Sequence, residues 1–197
     1  VERIFLTRHG ESELSLLGLL NGDPRVPCGL TERGEAQARE LGLALASESI
    51  ELAVSSDFER CRLTVEIALA DRGVRLIELE TLRDIHDGDY DGGPIEECFR
   101  WAHRAPAAER PPGRGESRTD VARRLAAGLR QVLARSERTA LVVSHQLPVA
   151  YVLSAAEGEH PVARLESVPY AKAFEIDSAR LGRAAAVLEA WAANPDW

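Results

Sequence analysis

Methionine is absent from all 197 residues, position 1 included. That is expected of numbering that starts inside the translated product or after processing. Lysine is nearly absent too: Lys172 is the only one, so almost all positive charge is arginine. Cysteine is scarce. Cys28, Cys61 and Cys98 are an odd number with no C-x-x-C spacing. This argues against a disulfide framework and against a zinc site, and leaves three buried or incidental thiols. No apolar stretch is long enough to span a bilayer. No basic N-terminal region leads into an apolar run of the kind that directs secretion. The expectation is a cytoplasmic protein with no membrane association. Excess positive charge is also missing, with a formal net charge of −8. That argues against a nucleic-acid binder held by a general basic surface. It leaves open a local cluster of arginines around a phosphate-sized anion.

What is present suits one globular domain over residues 1–197, with 45% apolar and 28% charged residues. Ile4-Phe5-Leu6 is a short apolar run that stops at Thr7, which predicts a buried strand. Thr31 predicts the cap of a helix of about fifteen residues carrying Ala38, Leu41 and Leu45 at helical spacing. Leu52 to Ser56 predicts a second strand, with Asp57 as N-cap of the helix that carries Cys61 and Val65. Val74 to Leu79 predicts a third strand, and Ile95 to His103 a short helix. Ser117 to Asp120 opens a long amphipathic helix with a capping box. Thr139 to Ser144 is the clearest buried strand, and Pro148 fits the first turn of the helix after it. Ala171 to Ile176 is a further strand candidate. Gly182 to Ala193 is ambiguous, because its alanines favour a helix while Val187, Glu189 and Trp191 alternate. Strands alternating with helices predict a three-layer α/β/α sandwich around a mainly parallel sheet.

In such a sheet ligands bind beyond the carboxyl ends of the strands. Two strands end in histidine there, His9 and His145. Arg8 stands beside the first, and a third strand runs through Ser55-Ser56-Asp57 towards Arg60. Guanidiniums match phosphate oxygens as forked, permanent charges. The amides of the helix start after His145 add donors to an anion. An imidazole can attack phosphorus and carry the phosphoryl group. Such a site needs no metal or other cofactor if arginines and histidines neutralise the charge developing on the equatorial oxygens.

Several motifs, in order, resemble the histidine phosphatase superfamily, the phosphoglycerate-mutase-like group. They are Arg8-His9-Gly10 with Glu11 and Ser12; Leu30-Thr31-Glu32-Arg33-Gly34 with Gln37-Ala38; and Ser55-Ser56-Asp57 with Arg60 and Thr64. Leu82-Arg83-Asp84-Ile85 with Gly88, Gly115-Glu116-Ser117, and Val142-Val143-Ser144-His145 follow. The resemblance covers roughly the first 155 residues. It implies that His9 is the phosphorylated nucleophile and that Arg8, Arg60 and His145 complete the phosphate pocket. It implies that Asp84 gives a proton to the leaving group and later acts as base for water. Ser15, Asn21 and Gln146 are further candidates for substrate contacts. The family usually has Glu at the position of Asp84, and often Asn, Arg and Gly at those of Ser15, Leu19 and Gln146.

The implied activity is hydrolysis of a small phosphomonoester, with a homodimer among the possible assemblies. A mutase must keep water out under a lid, and only about thirty residues separate Asp84 from Glu116, which favours the hydrolase. A phosphoglycerate-type mutase and a catalytically weakened phospho-ligand binding protein are the alternatives. Arg100, His103, Arg104, Arg110, Arg114 and Arg118 crowd that segment, and some of them are expected to flank the pocket and favour a second anionic group. Asp87, Asp89 and Asp91 read as mostly solvated loop carboxylates, with Asp87 a candidate substitute acid.

Overall fold

The computed structural model describes every residue from Val1 to Trp197. Strand β1 spans Arg3–Arg8, and the short helix α1 Glu13–Leu16. Helix α2 spans Glu32–Ala44, β2 Leu52–Ser55, α3 Glu59–Ala68 and β3 Arg75–Glu78. Then come α4, Ile95–Ala102, and α5, Arg118–Leu133. Strand β4, Thr139–Ser144, leads to α6, Gln146–Ala156; β5, Phe174–Asp177, leads to α7, Ser178–Ala193.

The five strands form one sheet in the order β3-β2-β4-β1-β5. All neighbours are parallel except β5, which runs antiparallel to β1 along one edge. Successive strand residues face opposite sides, so an apolar run must be covered on both. Ile4 and Leu6 pack with Leu52, Val54 and Val142 against α5, α6 and α7. Phe5 packs with Ala53, Leu141 and Val143 against α2 and α3. The predicted three layers follow from this alternation.

The helix starts that sequence chemistry could anticipate are mostly as expected. Thr31 accepts from the Gly34 amide, and Ser117 and Asp120 form a reciprocal capping box. Asp57 differs. The N-cap of α3 is Phe58, and the Asp57 carboxylate instead takes two donors from Arg83. An arginine fork two-fold bonded to the carboxylate outcompetes a single capping amide. The last strand begins three residues later than predicted. Tyr170 forms an isolated bridge to Arg8, and Ala171 sits in the left-handed region at φ 46°, which interrupts the extended run until Phe174 pairs with Leu6. The ambiguous stretch is helical: Leu181, Ala184, Ala185, Leu188, Trp191 and Ala192 are buried at helical spacing.

Candidate active site

Register in the sheet brings the two histidines together. Arg8 pairs with Ser144 across β1 and β4, so His9 and His145 leave adjacent strands side by side. Their rings meet edge to face with centroids 5.2 Å apart. Gly10 keeps the turn after His9 tight. Its amide donates to Thr64 Oγ1 at 3.0 Å, and a Cβ on Gly10 would lie 2.5 Å from the Gly34 carbonyl oxygen. Gly34 in turn lies against the Glu11 carbonyl. The Arg-His-Gly and Thr-Glu-Arg-Gly motifs are therefore two sides of one close backbone contact.

His9 is 2% exposed. Its Nδ1 is 2.6 Å from the Gly10 carbonyl oxygen and so carries the proton. Nε2 is left with its lone pair and accepts from Arg60 Nε at 3.2 Å. Burial, then the positive charges of Arg60 and Arg8, hold the His9 pKa well below the usual imidazole range. The ring is therefore neutral and Nε2 is unprotonated, its lone pair held only by the Arg60 N–H, as a nucleophile requires. Arg60 is buried on α3. Besides His9 it reaches His145 Nδ1 at 3.1 Å and the Asn21 carbonyl at 3.1 Å. His145 is wholly buried, and its Nε2 lies 2.7 Å from Ser56 Oγ. With Nδ1 accepting from Arg60, Nε2–H donates to that hydroxyl. Burial first, and then Arg60, depress its pKa as well.

The Arg8 guanidinium lies over the Tyr170 ring, with its carbon 3.8 Å from the ring centroid. Its Nη1 donates to Gln146 Oε1 and to the Val168 carbonyl, while its Nε is buried without a partner. An orphaned buried guanidinium donor beside a neutral imidazole can seat an anion oxygen. Gln146 also accepts from the Val168 amide and donates to the Glu166 carbonyl, so it ties the 165–168 loop to the site. Asp84 Oδ2 lies 3.8 Å from His145 Nδ1, and Oδ1 accepts from the Ile85 amide. Desolvation is the largest influence on Asp84 and raises its pKa, against the pull of Arg60, Arg8 and Arg124. Arg124 fixes this segment. It donates to the carbonyls of Thr81, Arg83 and Asp84 and pairs with Glu116, which accounts for the Gly-Glu-Ser motif.

These groups surround a cavity of about 350 Å³. Of the candidates read from sequence, Arg8, His9, Ser15, Asn21, Arg60, Asp84 and Gln146 line it, and His145 stands one layer behind, in contact with Arg60. The arginine-rich segment divides. Arg118 and His103 line the cavity, Arg100 and Arg104 line a separate surface hollow, Arg114 lines an adjoining polar cleft that shares Asp84 with the cavity, and Arg110 pairs with Asp120. Asp87 corrects the expectation of a solvated carboxylate. It is buried on the cavity wall, beside Cys98. Tyr170 escaped sequence reasoning, because it lies in a loop without periodicity, and Ser56 is part of a motif that assigns it no contact. Leu19, Leu20, Ile85, Ile95, Phe99, Leu147 and Leu165 make most of the remaining wall apolar. The arrangement can hold a phosphate between Arg8 and Arg60 next to a neutral imidazole, with a carboxyl nearby.

Known proteins share this architecture. A 135-residue stretch, 64% of this chain and 61% of the relative, is 35% identical to "Probable phosphoglycerate mutase GpmB" of Photorhabdus laumondii. A second stretch of 159 residues, 80% of this chain and 79% of the relative, is 29% identical to "Uncharacterized phosphatase PhoE" of Bacillus subtilis. YhfR from Bacillus stearothermophilus superposes with a TM-score of 0.77 at 27% identity, over 89% of this chain and 91% of that one. The family model described as "Histidine phosphatase superfamily (branch 1)" matches residues 4–193. With the paired histidines and their arginines at the carboxyl ends of the parallel strands of a mixed sheet, this chain belongs to the histidine phosphatase superfamily, branch 1.

Proposed function

We propose that the protein is a metal-independent phosphatase that hydrolyses a small phosphomonoester through a phosphohistidine on His9. The observation that carries the reading is the state of His9. It is neutral, held through Nδ1 by the Gly10 carbonyl, and its Nε2 lone pair faces the cavity end where Arg8 and Arg60 converge. In the first step Nε2 bonds to phosphorus, Arg8 and Arg60 meet the charge on the equatorial oxygens, and the leaving oxygen takes a proton from the Asp84 side. The Asp84 side chain is half-buried, and desolvation still raises its pKa, which suits a proton donor. Water then attacks the phosphohistidine, and its proton goes to the carboxylate.

The cavity favours small substrates with an apolar portion, and Arg118 and His103 on its wall suit a second anionic group. The test uses p-nitrophenyl phosphate in excess chelator. Wild type is expected to turn over, and His9→Ala to lose about 10³-fold or more in kcat/KM. Acid-labile, base-stable label retained on the protein from a labelled monoester identifies the phosphohistidine. Turnover that survives in His9→Ala sinks the reading. Wild type that binds phosphate but turns over no monoester makes the protein a phospho-ligand binder. Isomerised product without released phosphate makes it a mutase.

A further inference from the structure

Asp84 is not the only carboxyl on the reaction cavity. Asp87 lines it too, and the residue is 8% exposed. A buried carboxyl ordinarily has a cation or several strong donors as partners. Asp87 has neither. Its one side-chain hydrogen bond comes from Cys98 Sγ to Oδ1 at 3.2 Å, and a thiol is a weak donor. It caps nothing: it stands at the head of the Gly88–Tyr90 turn, but its side chain makes no capping bond there. The charged and titratable groups that face it are Asp84 and Asp91 on its own segment, Cys98 on α4 and Arg118 at the start of α5. No arginine comes within ion-pair distance. Asp84 differs: it receives the Ile85 amide, and Arg60, Arg8 and Arg124 all favour its ionised form.

Both carboxyls line one small cavity, the Asp84 charge is among the influences that raise Asp87, and their surroundings differ in the cations that reach them. We propose that Asp87 is a second proton-donating carboxyl of the reaction, acting with Asp84 on the leaving-group oxygen. The inference rests on the phosphohistidine reading above. As the His9 Nε2–P bond forms and the ester P–O bond breaks, the leaving oxygen takes the proton carried by the carboxyl pair. In the second half the oxygen of water bonds to phosphorus, the N–P bond breaks with its electron pair returning to Nε2, and the proton of that water reloads the pair. Atoms and charge balance with no other co-reactant. The second carboxyl makes up for the reach that Asp84 lacks relative to a glutamate. Burial, with Asp84 and Asp91 nearby, pushes the Asp87 pKa up to about 7, where a large share of it is still protonated near neutral pH.

The test compares leaving groups. p-Nitrophenolate departs without a proton, whereas the alkoxide of 2-phenylethyl phosphate needs one. The readout is the ratio of kcat/KM for the alkyl ester to that for the aryl ester, in wild type, Asp87→Asn, Asp87→Leu and Asp84→Asn, with folding checked by melting curves. Asp87→Asn and Asp87→Leu are expected to lower the ratio about tenfold or more, and Asp84→Asn to lower it as well. In wild type, kcat for the alkyl ester is expected to fall as pH rises through about 7, and in Asp87→Asn that limb moves. A ratio unchanged in both Asp87 variants, or an alkyl limb that stays in place in Asp87→Asn, overturns the proposal and leaves Asp84 working alone. Equal losses on both esters overturn it in favour of a packing or binding role. Loss of the phosphoenzyme reading shows separately, as aryl turnover that survives in His9→Ala.

Discussion

Arg60 shows how much chemistry one side chain can organise when it is buried. Its guanidinium spans both histidines and the Asn21 carbonyl, and it stacks 4.2 Å over the Phe58 ring. A lysine could supply the charge but not three directed donors in one plane. Arg60→Lys is therefore expected to cut kcat/KM for any monoester by about 10²-fold or more, with a small change in melting temperature. Arg118 is a different case. It lines the cavity with no carboxylate within ion-pair distance, while Arg104 lies on a separate surface hollow. Arg118→Ala is expected to lower kcat/KM about tenfold for a phosphomonoester bearing a carboxylate, relative to p-nitrophenyl phosphate. Arg104→Ala is expected to leave that ratio alone. Steady-state kinetics on the two substrates checks both, and equal ratios in the two variants remove Arg118 from recognition. Charge in the sequence could nominate six side chains for this role. Only the path of the 95–118 segment decides which of them reach the cavity.

At the scale of elements, the strand ends are held by close backbone contacts more than by side chains. A Cβ on Gly34 would sit 2.0 Å from the Glu11 carbonyl oxygen, so Gly34→Ala must part α2 from the His9 turn. The expected cost is about 2–3 kcal/mol of stability, read from denaturant midpoints, with a larger loss of activity than of stability. Ser117→Ala removes one half of the capping box on α5 and is expected to cost about 1 kcal/mol. These elements were legible because their signals are local. An apolar run ending at Thr7, a threonine three residues before Gly34 and a Ser-x-x-Asp box each state a boundary. What escaped depends on distant partners. Asp57 looks like a cap until Arg83, 26 residues away, claims it. The β5 strand is displaced by the left-handed Ala171 and the Tyr170 bridge, neither of which leaves a mark in periodicity. Asp87 sits among Asp89 and Asp91 in a Gly-rich stretch, and composition reads all three alike. Burial by α4 and the Cys98 contact sets it apart.

For the molecule as a whole, the site is a store of unfavourable ionisation, and stability should report it as a function of pH. The Asp87 pKa is raised from an ordinary 3.8 to about 7 in the folded chain. A raised carboxyl stabilises the fold while protonated. That contribution is complete below the ordinary value and is lost as pH rises through about 7. His9 and His145 work in the opposite sense. Their pKa values are depressed by burial, so the fold loses stability as pH falls below the usual imidazole range of about 6.5. Between about pH 4 and 7 the two trends oppose each other, and the wild-type profile alone separates neither. Asp87→Asn separates them by removing one. The variant keeps the shape of the side chain and cannot ionise. The stability difference between Asp87→Asn and wild type should therefore be smallest near pH 4, grow through pH 7, and level off above it. The full shift corresponds to an upper bound of about 4 kcal/mol. About 1–2 kcal/mol is expected to remain after local relaxation and entry of water, or roughly 3–6 °C in melting temperature for a chain of this size. Melting curves of both proteins at four pH values measure it. A difference that is flat with pH means that Asp87 ionises as a surface carboxylate does, and that its burial costs the fold nothing.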